Sequence, residues 1–191
     1  MSSVADPYRS ARHRARAAVR ALVLAAAIAS LSVLSVGCSN VKELSYTPVR
    51  MDPDPARTKT KEVSSSLLEM TGVQGKVTEP GPTVTRCREY GDDLFSLSHP
   101  WSVYGITDEQ VDTGMAALRT QLVANGWKIT KDGKANSTAQ SPEIYAENDS
   151  QGFAMVVTGR KQSATGGPML LFKVISHCYR AESAAALDGE Y

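Results

Sequence analysis

The chain has 191 residues, 42% hydrophobic and 6% aromatic, with 21 Lys and Arg against 20 Asp and Glu for a net charge of +1. That length suits one domain with unstructured ends. A balance this close to neutral gives nucleic-acid binding, which uses a clustered basic face, no support.

The charges are unevenly spread. Arg9, Arg12, Arg14, Arg16 and Arg20 crowd the start, residues 21–37 carry no charge, and Val36-Gly37-Cys38 ends that run. A basic opening, an apolar stretch and small residues before a cleavage point are the marks of a secretory signal, here residues 1–37. The competing reading is an uncleaved anchor. The charge-free run contains Ser30, Ser32 and Ser35, and it is short for a span of roughly 20 residues. From Cys38 onward the chain keeps 16 basic and 19 acidic residues, a net charge of −3.

Ser35-Val36-Gly37-Cys38 resembles the lipobox of bacterial lipoproteins, which reads Leu, then Ala or Ser, then Gly or Ala, then Cys. Gly37 and Cys38 fit; Ser35 departs from the expected Leu, with Leu34 one place upstream. Ser35-x-Gly37 also fits ordinary signal cleavage, so plain secretion stays open. The resemblance covers the signal and its cysteine alone, and the Ala/Val/Arg-rich style is similar to actinobacterial envelope lipoproteins. It implies a diacylglycerol on the Cys38 sulfur and a place on the outer face of the cytoplasmic membrane. No Arg-Arg pair is present, which favours the general secretory route.

Three cysteines are an odd number for an exported chain. Assigning Cys38 to lipid leaves Cys87 and Cys178, which are expected to pair in an oxidising compartment. Two buried free thiols are the alternative. Two isolated cysteines lack the paired spacing of a zinc site.

Residues 38–60 contain Pro48, Pro53 and Pro55 without apolar periodicity and read as an extended tether. A domain is expected over 61–180 and, over 181–191, a last helical turn followed by a polar tail. A short helix is expected over 61–70, with Val63, Leu67 and Met70 on one side. Residues 71–82 read as loop, 83–90 alternate weakly around Cys87, and 94–97 are too short to assign. The sharpest element begins at Thr107-Asp108-Glu109-Gln110, a capping box. Val111, Met115, Leu118 and Leu122 mark one face of the helix that follows, and Asn125-Gly126 closes it. Strands are expected over 127–130, 143–147, 153–158 and 169–178, with turns at Asp132-Gly133 and Asn148-Asp149-Ser150-Gln151-Gly152. The expected fold is therefore α+β, an antiparallel meander of about four to five strands with one main helix packed on one face.

Motifs for chemistry are missing. No Gly-x-Ser-x-Gly, His-Glu-x-x-His, Cys-x-x-Cys or phosphate loop occurs, and no cofactor or metal site is assigned. Ser39-Asn40-Val41-Lys42 matches Ser-x-x-Lys but lies in the tether. Asn136-Ser137-Thr138 and Asn148-Asp149-Ser150 fit the glycosylation pattern within turns. His99 and His177 are the histidines beyond the signal. Asp92, Asp93 or Glu147 with His99 would be the parts of a hydrolase, yet proximity in sequence does not supply convergent geometry. Trp101 and Trp127 read as core.

These observations favour a membrane-anchored, non-enzymatic binding domain. It would be held by membrane lipid at Cys38 and meet an extracytoplasmic protein or cell-wall ligand. An inhibitor or immunity-type protein presenting 163–168, and a wall or polysaccharide hydrolase, are the alternatives. A hydrolase of that kind needs two carboxylates about 5–9.5 Å apart.

Overall fold

The computed structural model describes residues 42–164 and 166–189. The expected signal, Cys38 and Ser39 lie outside the described residues. Among the described residues the fold is α+β: two α-helices and an open antiparallel sheet of eight strands, more than the four to five expected. Among the described residues no helix is long and apolar enough to cross a membrane.

Helix α1 runs Pro53–Thr71, so the extended tether expected to reach residue 60 is corrected. Prolines at 53 and 55 sit in its first turn, where the missing N–H costs nothing. Gly72, at φ 63°, ends the helix by donating its N–H to the Glu69 carbonyl. The buried stripe of α1 mixes Ala56, Val63 and Leu67 with Thr60, Ser64 and Thr71. Each of those hydroxyls returns a hydrogen bond to the helix backbone, Thr60 to Ala56 at 2.7 Å, Ser64 to Thr60 at 3.0 Å and Thr71 to Leu68 at 2.7 Å.

Strands β1 (Lys76–Val77) and β2 (Thr83–Arg86) both pair with the long β3 (Leu94–Tyr104). Helix α2 (Asp108–Ala124) follows. Gln110 N–H donates to Thr107 Oγ1 at 3.2 Å, and Thr107 N–H donates to Gln110 Oε1 at 2.8 Å, which completes the capping box. Then come β4 (Lys128–Lys134), β5 (Pro142–Asn148), β6 (Phe153–Arg160), β7 (Met169–Ser176) and β8 (Tyr179–Arg180). Strands β4 to β7 form the expected meander, and β7 then pairs with β3, giving the order β1-β3-β7-β6-β5-β4. Asp132-Gly133, expected as a turn, is instead inside β4, beyond a register shift between Ile129 and Lys131.

Opposed residues share a face of a sheet. Trp101, Phe172, Val157 and Ile144 form one row across four strands, and Val103 lies opposite Leu170. They belong to one buried cluster with Val63 and Leu67 of α1 and Val111, Met115, Leu118 and Leu122 of α2. Close approach needs glycine at two places. A Cβ on Gly114 would stand 2.9 Å from Leu170 Cδ1, and one on Gly159 would stand 3.0 Å from Met115 Cγ.

A second, smaller cluster joins Ala56, Phe95, Leu97, Tyr179, Ala181 and Leu187. The last two come from 181–191, expected as a last helical turn followed by a polar tail. The turn is 3-10, over Ala184–Leu187, and it buries Leu187. Cys87 and Cys178 form the disulfide, which ties the turn after β2 to the link between β7 and β8. Residues 42–50 are strapped across the same end. Lys42 N–H donates to the Glu89 carbonyl at 2.8 Å, Arg180 N–H to Val49 at 2.9 Å, and Met51 N–H to Arg180 at 3.0 Å.

Candidate functional site

The site starts from β3. His99 and Trp101 alternate with Ser98 and Pro100, so both point to the face that carries the main cluster. Trp101 stacks on Phe172 across the strand pair, ring centroids 4.1 Å apart and planes 3° from parallel. His99, 8% exposed, is held at both ring nitrogens. Nε2 lies 2.8 Å from the Pro80 carbonyl in the β1–β2 connection, and Nδ1 lies 2.8 Å from Ser64 Oγ on α1.

These contacts determine the tautomer. A carbonyl only accepts, so Nε2 carries a proton. Burial lowers the pKa of His99 from its ordinary 6.5, Lys61 adds to the lowering, and the Pro80 carbonyl opposes it. The ring is therefore neutral at pH 7, and Nδ1 accepts the Ser64 hydroxyl proton. That same hydroxyl lies 3.0 Å from the Thr60 carbonyl, so one proton serves two acceptors.

Ser64 and His99 share a cleft of about 540 Å³ between α1 and the β1–β2 connection. Lys61, Ser65 and Leu68 line the helix wall; Thr78, Glu79 and Gly81 line the other, with Trp101 at the base. The indole Nε1 of Trp101 is buried and has no hydrogen-bond partner among the described residues. A hydroxyl against an imidazole is the opening of a nucleophilic mechanism. Here, however, the group that orients the ring is a neutral carbonyl, which cannot stabilise an imidazolium as a buried carboxylate does. Ser64 is also only 5% exposed. As built, the pair clasps helix to loop.

The carboxylates proposed to assist His99 are elsewhere. Asp93 precedes β3 and pairs with Arg180. Six residues of extended strand, about 20 Å, separate it from His99. Asp92 is exposed, and its carbonyl accepts from Arg86 at 3.1 Å. Glu147 shares its row with Ala154, Ile175 and Ser98, on the opposite face of the sheet from His99. Among the described residues no three His, Cys, Asp or Glu side chains are grouped to hold a metal ion.

His177 stacks on Tyr46 of the strap, centroids 4.4 Å apart, and Tyr46 Oη accepts the Cys178 N–H at 2.8 Å. Beside them a second cleft of about 520 Å³ is lined by Lys59, Gln151 and Tyr179 among others. The Tyr179 hydroxyl is buried without a partner among the described residues, and burial pushes its pKa up to about 12.

The remaining sequence candidates have structural roles. Lys42 pairs with Glu89 at 2.8 Å. Asn148 is 1% exposed, with its amide donating to Asn125 at 3.4 Å, so a glycan has no room there. Asn136 is exposed in a bend. In the 163–168 segment, Ser163 N–H donates to Gly166 at 3.0 Å, closing a small turn. Trp101 and Trp127 are both core, 5% and 4% exposed.

Sequence reasoning missed Ser64, Pro80 and Lys61. A signal for Ser64 existed: it directly follows Val63 and precedes Leu67 by three residues, which puts it on the buried stripe. Compared with known proteins, the chain matches no family model, no curated protein and no solved structure.

Proposed function

We propose that this protein is an envelope lipoprotein, anchored at Cys38 on the outer face of the membrane, whose domain binds a small polar ligand in the His99 cleft without turning it over. The observation that carries the reading is His99 itself. An imidazole set against a serine acts as a base when its other nitrogen is steadied, in the type case by a buried carboxylate. Here the other nitrogen meets the neutral Pro80 carbonyl, and the carboxylates expected to assist it, Asp92, Asp93 and Glu147, lie along the strand or behind the sheet. What the cleft offers is Lys61 and Glu79 on opposing walls, with hydroxyls of Ser65 and Thr78 between them. Few polar groups in a concave, partly apolar wall suit recognition.

The Ser64–His99 contact gives a hydrolase its one support, and a single titration separates the two. Trp127→Phe leaves Trp101 as the sole tryptophan reporter. Soluble peptide–glycan fragments of the cell wall are then added and their masses followed. Binding predicts a saturable change in Trp101 emission with unchanged fragments, abolished when Ser65→Phe fills the cleft. Cleavage of the fragments by wild type, lost in Ser64→Ala, would establish the hydrolase instead. No emission change with any fragment fraction would contradict the cleft as the site.

A further inference from the structure

The face of the sheet opposite the main cluster has no helix residue in its rows and a charge unlike the rest of the chain. Its rows run Lys128, Glu147, Ala154, Ile175, Ser98; then Lys131, Tyr145, Val156, Lys173, Pro100; then Glu143, Thr158, Leu171, Ser102. A last row aligns Arg160, Met169, Tyr104 and Lys76. Five basic side chains against two acidic ones give this face a net charge of +3, within a chain that is −3 from Cys38 onward. Lys131 pairs with Glu143 at 3.0 Å. Lys76, Lys128, Arg160 and Lys173 are exposed and make no ion pair among the described residues. Between the cations, Ile175, Tyr145 and Tyr104 are 37–39% exposed, with Val156 and Leu171 half-buried beside them.

We propose that this open face lies on an anionic lipid surface. Its location rests on the reading of Cys38 as a lipid anchor; its chemistry does not. Basic side chains are drawn to a negatively charged bilayer, each adding to the attraction, and tyrosines favour the headgroup level. The course of the chain points the same way. Glu43 to Tyr46 of the strap line one groove with Ser96 and Ile175, so the strap runs along the rim of this face. Lys42 is fastened to Glu89 by both backbone and side chain. Only residues 39–41 separate Lys42 from Cys38, a contour of about 14 Å. A lipid on Cys38 would therefore allow little standoff, and the strap that leads from it borders the face with unpaired lysines and exposed tyrosines. Placed there, the face would leave the His99 cleft, on the other side of β3, open to the envelope.

The test uses the chain from residue 38 with Cys38→Ser, since residues 41–191 form one compact unit. Sedimentation with vesicles of phosphatidylglycerol and phosphatidylcholine should retain it, and vesicles of phosphatidylcholine alone should not. Retention should fall in raised salt. Lys128→Glu with Lys173→Glu should weaken it at least about tenfold, whereas the same charge change at Lys61 and Lys134, off this face, should leave it within about twofold. Melting curves equal to the parent confirm that the variants are folded. Equal loss in both double variants, or no preference for anionic vesicles, would overturn the proposal. So would displacement by soluble polyphosphate at equal charge, which would assign the face to an acidic polymer. Failure of Cys38 labelling in cells would count against the anchor and leave this result standing.

Discussion

Leu170 and Leu171 are neighbours in β7 and chemically identical, yet one is fully buried in the main cluster and the other is half-buried on the open face. Val157 and Val156 on β6 repeat the contrast. The period of two in a strand divides one apolar run between two tasks. One face stabilises the domain, and the other is available to meet something. Apolar residues on a sheet thus do not by themselves tell core from contact surface; their partners across the strands do.

The largest effect should come from the buried member. Leu170→Ala should cost about 3–5 kcal/mol, because it removes methyls from a site packed by α2 and leaves a cavity. Urea denaturation measures it directly. A loss below about 1 kcal/mol would mean that this face is not the core.

Next comes the disulfide, which secures the smaller cluster and the strap. Reduction, or Cys178→Ala, should cost about 2–4 kcal/mol and lower the melting temperature by about 5 °C or more. Denatured protein should show no free thiol from Cys87 or Cys178 before reduction. Two free thiols without reductant would refute the bridge.

The His99 clasp sharpens the comparison through pH. Its pKa in the folded chain is below the unfolded value near 6.5. The unfolded state therefore takes up the proton first as pH falls. Stability from this group is full above 6.5 and declines as pH drops from there toward the folded value. His99→Gln should flatten the melting temperature between pH 7 and 5 relative to wild type. An unchanged slope would place the pH sensitivity elsewhere. The smallest effect belongs to the open face: Leu171→Ala should cost about 1 kcal/mol or less.

How much of this was legible follows from particular residues. Helix α2 could be read because its cap is polar, its stripe is aliphatic and its stop is Asn-Gly, each a local signal. Helix α1 could be read only in its second half, 61–70, since three of its seven buried residues carry hydroxyls and its opening turn holds two prolines. Pro100 concealed β3. Ser102 of β3 exchanges hydrogen bonds with Thr78, on the β1 side, and Pro100 two residues earlier faces the same way. It falls in the gap between the end of β2 pairing at Ser98 and the start of β1 pairing at Val103, where no neighbour requires its N–H. The cleft was the least legible part. It depends on a carbonyl of Pro80 meeting a histidine 19 residues on and a serine on another element, and a backbone acceptor leaves no mark in a sequence. The Cys87–Cys178 pair was legible by counting, once Cys38 was set aside for lipid.

Everything said about place depends on Cys38. The most direct measurement is to feed cells expressing the full chain an alkyne fatty acid and compare wild type with Cys38→Ala. The account predicts label on the wild-type chain alone, with the variant unlabelled and released from the membrane fraction. Label on both chains, or on neither while the protein is exported, would contradict it.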